Sequence, residues 1–186
     1  MHPRPGVTAS EAMTAEEIIA CLGLRPLPIE GGYYAETYRA PETLAAAALP
    51  PRYRGPRALS TSIYYLLTPT TCSILHRLRG DEVYHFYLGD PVELVLLFGD
   101  GGEMSSGRGE RRLLGPDLRR GERPQAVVPA GTWQGSRLVA GGRVALLGTT
   151  MAPGFDLDDF EAGERAALLR SHPGFRREIE ALTRAT

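Results

Sequence analysis

Short runs of alternating or wholly apolar residues fill the middle of this chain, and helical periodicity appears only near its two ends. The clearest run is Ser73 to Gly89, which reads strand, tight turn, strand. Ile74, His76 and Leu78 alternate onto one face, Arg79-Gly80-Asp81 turns, and Glu82, Tyr84, Phe86 and Leu88 alternate onto one face of the second strand. ALSTSIYYLL, residues 58–67, is rich in β-formers, and VELVLLF, residues 92–98, is a near-continuous buried strand. Asp100-Gly101-Gly102 is a hairpin signal, with a returning strand over 111–114. Residues 125–128 and 143–151 supply further strands, and 24–40 two short ones around Gly31-Gly32, with Tyr34, Glu36 and Tyr38 on one face. Four prolines make 41–57 a loop, with room for a helical turn between Leu44 and Leu49.

Thr14-x-x-Glu17 is a capping box that starts a helix ending before Gly23. At the other end, Asp158 or Asp159 is positioned to cap a helix to about Leu169. His172-Pro173-Gly174 breaks it, and Phe175 to Leu182 forms a last one. Roughly nine short strands with helices confined to the ends predict an all-β closed sandwich or barrel, of which the jelly roll is one form. Residues 1–13 read as a disordered lead-in, and 14–186 as a single domain.

Composition narrows the function classes. The formal net charge of -1 gives no electrostatic footprint for nucleic acid. All 21 basic residues are arginine, so a lysine Schiff base is excluded. Cys21 and Cys72 have no metal or redox spacing and read as buried, reduced thiols of a cytoplasmic protein. The opening MHPRPG has no signal-peptide pattern, and no apolar run approaches membrane-spanning length.

Two stretches carry a resemblance. His76, Glu82 and Gly89 in the first, with Pro129 and Gly131 of VVPAGTWQG in the second, resemble the two sequence motifs of the cupin superfamily. Leu78 and Gln134 stand where that pattern has further histidines. GGYYAETYR, SIYYLL, DEVYHFYLGDP, VVPAGTWQ and APGF, spread over nearly the whole chain, resemble the cupin-5 (DUF985) group. More distantly, GGYYAETYR is similar to a segment of nucleotide-sugar 3,5-epimerases, in which the position of Glu36 contacts substrate and an arginine stands where this chain has Gly31. The resemblance implies a cupin jelly-roll (double-stranded β-helix) barrel, a homodimer and a small-molecule ligand.

It also implies where the chemistry lies. Cupin centres hold Fe, Mn, Ni or Zn through three histidines and a glutamate. Here the donors at those places are His76, Glu82 and the neutral amide of Gln134. A metal-free site is therefore the leading expectation, with His76 and Glu82 as a proton-transfer pair and Tyr84 or Tyr38 as a second donor. Glu36, Tyr38, Trp133 and Gln134 are the candidate substrate contacts, and Tyr38, Tyr84 and Trp133 are expected to line or rim the cavity. Strand alternation sends His85 to the outer face or a subunit contact, and His172 reads as structural. Three functions follow: a metal-independent isomerase or epimerase acting on a carbohydrate-like or polar metabolite, a non-catalytic ligand-binding cupin, and a metal-dependent oxygenase.

Overall fold

A computed structural model of the chain describes residues 13–99 and 107–184, and the expected lead-in and the Asp100-Gly101-Gly102 hairpin signal lie outside them, apart from Met13. The described residues form thirteen strands, four of them of only two residues, and three α-helices. The nine longer strands match the number read from the sequence.

One sheet takes, in chain order, β1 (Arg25–Pro26), β2 (Tyr33–Arg39), β5 (Thr61–Leu67), β7 (Glu82–Gly89), β10 (Gln125–Val128) and β12 (Ala145–Met151); its spatial order is β1-β2-β5-β12-β7-β10. The second sheet takes β6 (Ser73–Arg77), β8 (Val92–Leu97), β9 (Gly109–Leu114), β11 (Trp133–Leu138) and β13 (Glu161–Ala162), in the order β13-β6-β11-β8-β9. A separate pair, β3 (Thr43–Leu44) with β4 (Arg57–Ala58), closes the loop that follows β2. All strand pairs are antiparallel, and from β5 onward the chain alternates between the two sheets except at the β8–β9 hairpin, which is the jelly-roll arrangement.

The inward faces pack Tyr65, Leu67, Tyr84, Leu94, Leu96, Leu114, Ala145 and Leu147 into one core. A second cluster lies outside the smaller sheet, where Leu75, Val95, Leu97 and Trp133 meet Leu168, Phe175, Ile179 and Leu182. A third sits beneath helix α1 (Ala15–Leu22), whose buried Ile18 packs on Leu66, Val144 and Leu146. Helix α1 begins with the expected capping box: the Glu17 amide donates to Thr14 Oγ1 at 3.2 Å, and the Thr14 amide donates to Glu17 Oε2 at 2.8 Å.

Several local expectations are corrected. Residues 157–159 form a single 3-10 turn capped by Asp156, so neither Asp158 nor Asp159 starts a helix. The chain instead forms β13 and only then helix α2 (Arg165–Ser171), whose first amides are capped by Glu164. Helix α3 runs Arg176–Ala181. The pairing of β2 with β5 shifts register between Glu36 and Tyr38, so Glu36 opposes Ile63 on the inner face while Tyr38 opposes Ser62 on the outer one. A second shift between Leu146 and Leu147 turns Leu88 outward. Cys21 is exposed and Cys72 half-buried, both free thiols, so neither is the buried residue expected. No helix among the described residues is long and apolar enough to cross a membrane.

Candidate functional site

The two strands that carry the first motif end at the same end of the barrel, and their inward residues meet the start of β11. His76 and Gln134 are direct cross-strand neighbours on β6 and β11, each 1% exposed. Gln134 Nε2 donates to Glu82 Oε2 at 2.7 Å, and Thr149 lines the cavity together with Glu82. The expected trio is thus brought together, with Gln134 as the link between the other two.

The turn before β2 adds a residue the sequence reading missed. Glu30 Oε1 accepts from Ser73 Oγ at 2.5 Å, and its Oε2 lies 3.9 Å from His76 Nε2, beyond direct hydrogen-bond reach. His76 Nδ1 is 2.8 Å from the Ile74 carbonyl, which can only accept, so Nδ1 carries a proton and Nε2 is the atom left facing Glu30. The imidazole is stacked on Phe160 at 5.1 Å between centroids and 19° between planes. Burial holds the Glu82 carboxyl above the usual carboxylate range; the Glu30 charge pushes in the same direction, against opposing help from His76, Thr149 and Gln134.

Glu30 and Glu82 are exposed to a cavity of about 360 Å³ whose polar lining also includes Glu36, Arg39, Thr61 and Thr149. Apolar walls come from Leu27, Ile29, Ile63, Leu78, Met151 and Phe155. Leu78 thus faces the cavity at the place where the cupin pattern has a second histidine. His76 and Gln134 do not line it; they stand behind the two carboxyls. Near the rim, Arg39 forms a two-point pair with Glu36, at 3.1 Å from Nε and 2.7 Å from Nη2, and a third bond to the Phe155 carbonyl at 3.1 Å.

The aromatic expectations are redistributed. Tyr34 and Phe155 line the cavity, whereas Tyr38 is half exposed on the outer face because of the β2 bulge. Tyr84 points inward but is 1% exposed in the core, and burial, followed by the Glu82 charge, raises its phenol well above the usual range. Trp133 lies on the opposite face of the sheet, under the C-terminal helices, with the Arg77 guanidinium 4.5 Å from its ring centroid. Adjacent strand residues point to opposite faces, so Trp133 and Gln134 cannot share one cavity. His85 is on the outer face, 3.1 Å from Thr150 Oγ1, and His172 is fully buried between the Phe98 carbonyl and Ser171.

The donor set does not suit a metal ion. Among the described residues no group of three or more histidine, cysteine, aspartate or glutamate side chains is placed to hold one. Leu78 offers no donor, and the Nε2 of His76 opens toward Glu30 at 3.9 Å rather than onto a shared point with Glu82. The residues do not fit the usual cupin centre.

The profile of the Cupin_5 family, described as "Cupin superfamily (DUF985)", matches residues 16–163. The chain belongs to this cupin family. A cupin relative, the uncharacterized protein YML079W of Saccharomyces cerevisiae, is 31% identical over 138 residues, which is 70% of this chain and 66% of the yeast protein's length. Two solved structures share the fold across their full length: protein SO0799 from Shewanella oneidensis, at 32% identity, 94% coverage of this chain, 100% of that one and a TM-score of 0.79, and a hypothetical protein from Leishmania major, at 33%, 93%, 100% and 0.81.

Proposed function

We propose that this cupin binds a small polar metabolite in the barrel cavity and moves a proton on it without a metal, as an isomerase or epimerase does. The observation that supports this reading is the pair of carboxyls at the closed end, Glu30 and Glu82, of which Glu82 is held above the usual carboxylate range. General acid–base catalysis needs a group that keeps its proton near working pH beside one that can accept one. Glu82 suits the acid role. Glu30 suits the base role, with His76 Nε2 behind it as the next acceptor. The relay would run from a substrate C–H or O–H to Glu30, while Glu82 returns a proton to the opposite side of the reacting centre. Tyr84 takes no part in this relay, since it is buried in the core and does not line the cavity.

A thermal-shift screen of sugars and polar metabolites, followed by product analysis, tests the reading. With a turned-over ligand in hand, His76→Asn should abolish turnover with little loss of stability, because the amide can still donate to the Ile74 carbonyl. If His76→Asn instead costs about 1–3 kcal/mol and the ligand binds without product, the second reading holds: a non-catalytic binding cupin. The burial of His76 behind the cavity wall favours that alternative.

For assembly we propose a homodimer through the outer face of the larger sheet. Helix α1 covers only part of that face. The remainder exposes Tyr38, Tyr87, Leu88 and Val127 at 40% to 51% of their surface, apolar side chains that a second copy would cover. Light scattering at micromolar concentration should give twice the chain mass, and Tyr87→Glu should shift it to the monomer. A monomer mass for the unaltered chain would end this proposal.

A further inference from the structure

A second cavity, of about 590 Å³, adjoins the barrel cavity and is lined by arginines. Leu78 belongs to both walls. The segment 155–160 divides between them: Phe155 and Leu157 line the barrel cavity, and Asp158, Asp159 and Phe160 line this one. Three stretches meet there. The loop before β4 supplies Arg52 and Arg54, the end of β6 and its turn supply Arg77 and Arg79, and the turn before β11 supplies Ala130 and Gly131.

Like charges on one wall repel, so each guanidinium needs something to hold it there. Arg77 Nε and Nη2 donate to the two carboxylate oxygens of Glu161, at 2.9 Å and 3.0 Å. Arg52 and Arg79 are held by each other. Arg52 Nε donates to the Arg79 carbonyl at 2.6 Å, and Arg79 Nη1 donates to the Arg52 carbonyl. The Tyr53 ring steadies Arg52 further, with its centroid 5.0 Å from the guanidinium carbon. These crossed bonds keep two cations on the wall of the same hollow with backbone oxygens, not carboxylates, as their hydrogen-bond acceptors. Asp159 stands 3.6 Å from Arg79, but it already takes two hydrogen bonds of 2.7 Å from the buried Arg57. Among the described residues neither Arg52 nor Arg54 has an acidic partner, and the Arg54 side chain makes no hydrogen bond. The remaining lining carboxylate, Asp158, is exposed. With Arg57 counted, five guanidiniums meet three carboxylates, so the hollow keeps an excess of positive charge and N–H donors not used within the protein.

We propose that this hollow is an anion site that takes a phosphate group, free or carried on a small metabolite. The planar N–H fork of a guanidinium matches two phosphate oxygens, and the charge excess of two suits a phosphate dianion better than a single carboxylate. The volume leaves room beyond the phosphate for an organic body along Leu78, Ala130 and Phe160. The site lies outside the carboxyl pair of the barrel cavity and stands independently of the function proposed for that pair.

The test is a titration of the ¹⁵N-labelled full chain at constant ionic strength, which keeps general screening equal between probes. The probes are inorganic phosphate, glucose 6-phosphate, glucose, acetate and chloride. Expected is a saturable shift of the Arg52 Nε–H and of the Gly131 and Asp158 amides with both phosphates, and none with glucose. The dissociation constants of the phosphates should be at least tenfold below those of acetate and chloride. Arg54 is exposed and has no partner to lose, so Arg54→Glu keeps the fold, and it should weaken both phosphates at least tenfold. Arg143→Glu is the control, since Arg143 lies beyond Gly89 at the opposite end of β7 from Arg79. It should leave both affinities within twofold. Equal affinity for the two phosphates would make the phosphate group the whole determinant, and tighter glucose 6-phosphate would show a carried one; either supports the site. Phosphates no tighter than chloride, or equal effects from Arg54→Glu and Arg143→Glu, would overturn it and leave the arginines as a positive surface. Shifts confined to barrel-cavity residues such as Thr149 would overturn it too, while leaving the proposed function in place.

Discussion

Replacing Asp159 by alanine is expected to cost about 3–5 kcal/mol of stability, the range for removing one partner of a buried ion pair. The Asp159 side chain is 1% exposed and that of Arg57 3%. Two hydrogen bonds of 2.7 Å join them, and the Arg79 guanidinium stands 3.6 Å from the same carboxylate. Truncation leaves the Arg57 charge buried against the Tyr53 ring without its counter-ion. The loss reaches the site because the segment around Asp159 builds the cavity rim. Phe155 and Leu157 line the cavity, Phe160 stacks on His76, and β13 pairs with β6 at Arg77 and His76. Urea unfolding of Asp159→Ala should therefore show a large fall in midpoint, and ligand affinity should fall with it. Asp158→Ala, on the exposed neighbour, should stay within about 0.5 kcal/mol. Equal effects from the two substitutions would show that the ion pair contributes little.

Asp159 also marks where sequence reading reaches its limit. An aspartate before an apolar run is a sound local cap signal, and Asp158-Asp159 offered two. What decides the outcome is an arginine 102 residues earlier in the chain, and no window around 159 contains that partner. The same holds for Glu30. It sits in a Pro- and Gly-rich turn with no periodicity, and only the packing of that turn against β6 brings it to His76. Strands and inward faces were legible wherever alternation continued unbroken, which is why His76, Glu82 and Gln134 came out together. Where a bulge added a residue, as between Glu36 and Tyr38, parity inverted and the face assignment failed. Trp133 needed no structure to correct: it precedes Gln134, and alternation alone sends it outward. The family pattern pointed to this end of the barrel as the candidate site, and the donors present there depart from that pattern. Leu78 and Gln134 remove two imidazoles from that place, and Glu30 adds a carboxyl from a different element.

Gly31→Ala is expected to lose about 3 kcal/mol or more and to displace Glu30. Gly31 has φ 108°, a conformation that costs a non-glycine residue about 1–3 kcal/mol on its own. A Cβ there would also lie 2.2 Å from the Cys72 carbonyl oxygen, a backbone atom that cannot rotate away. That contact is where the turn is pressed against the entry to β6: the Ile74 amide donates to the Glu30 carbonyl at 3.0 Å, and Ser73 Oγ to the Glu30 carboxyl. Relief of the clash must move the turn off β6, and Glu30 moves with it, away from His76 and the cavity floor. Gly121 supplies the control, since it has φ 85° but nothing within 4 Å of the added atom. Gly121→Ala should therefore show the conformational cost alone and leave the cavity unchanged. The difference between the two variants in denaturant midpoint isolates the collision, and a Gly31→Ala protein as stable as Gly121→Ala would refute this account of the turn. The similar segment of nucleotide-sugar epimerases carries an arginine at this position. In this chain the backbone conformation and the Cys72 carbonyl exclude any side chain there, so a cation supplied from this turn is not available to bind a phosphate.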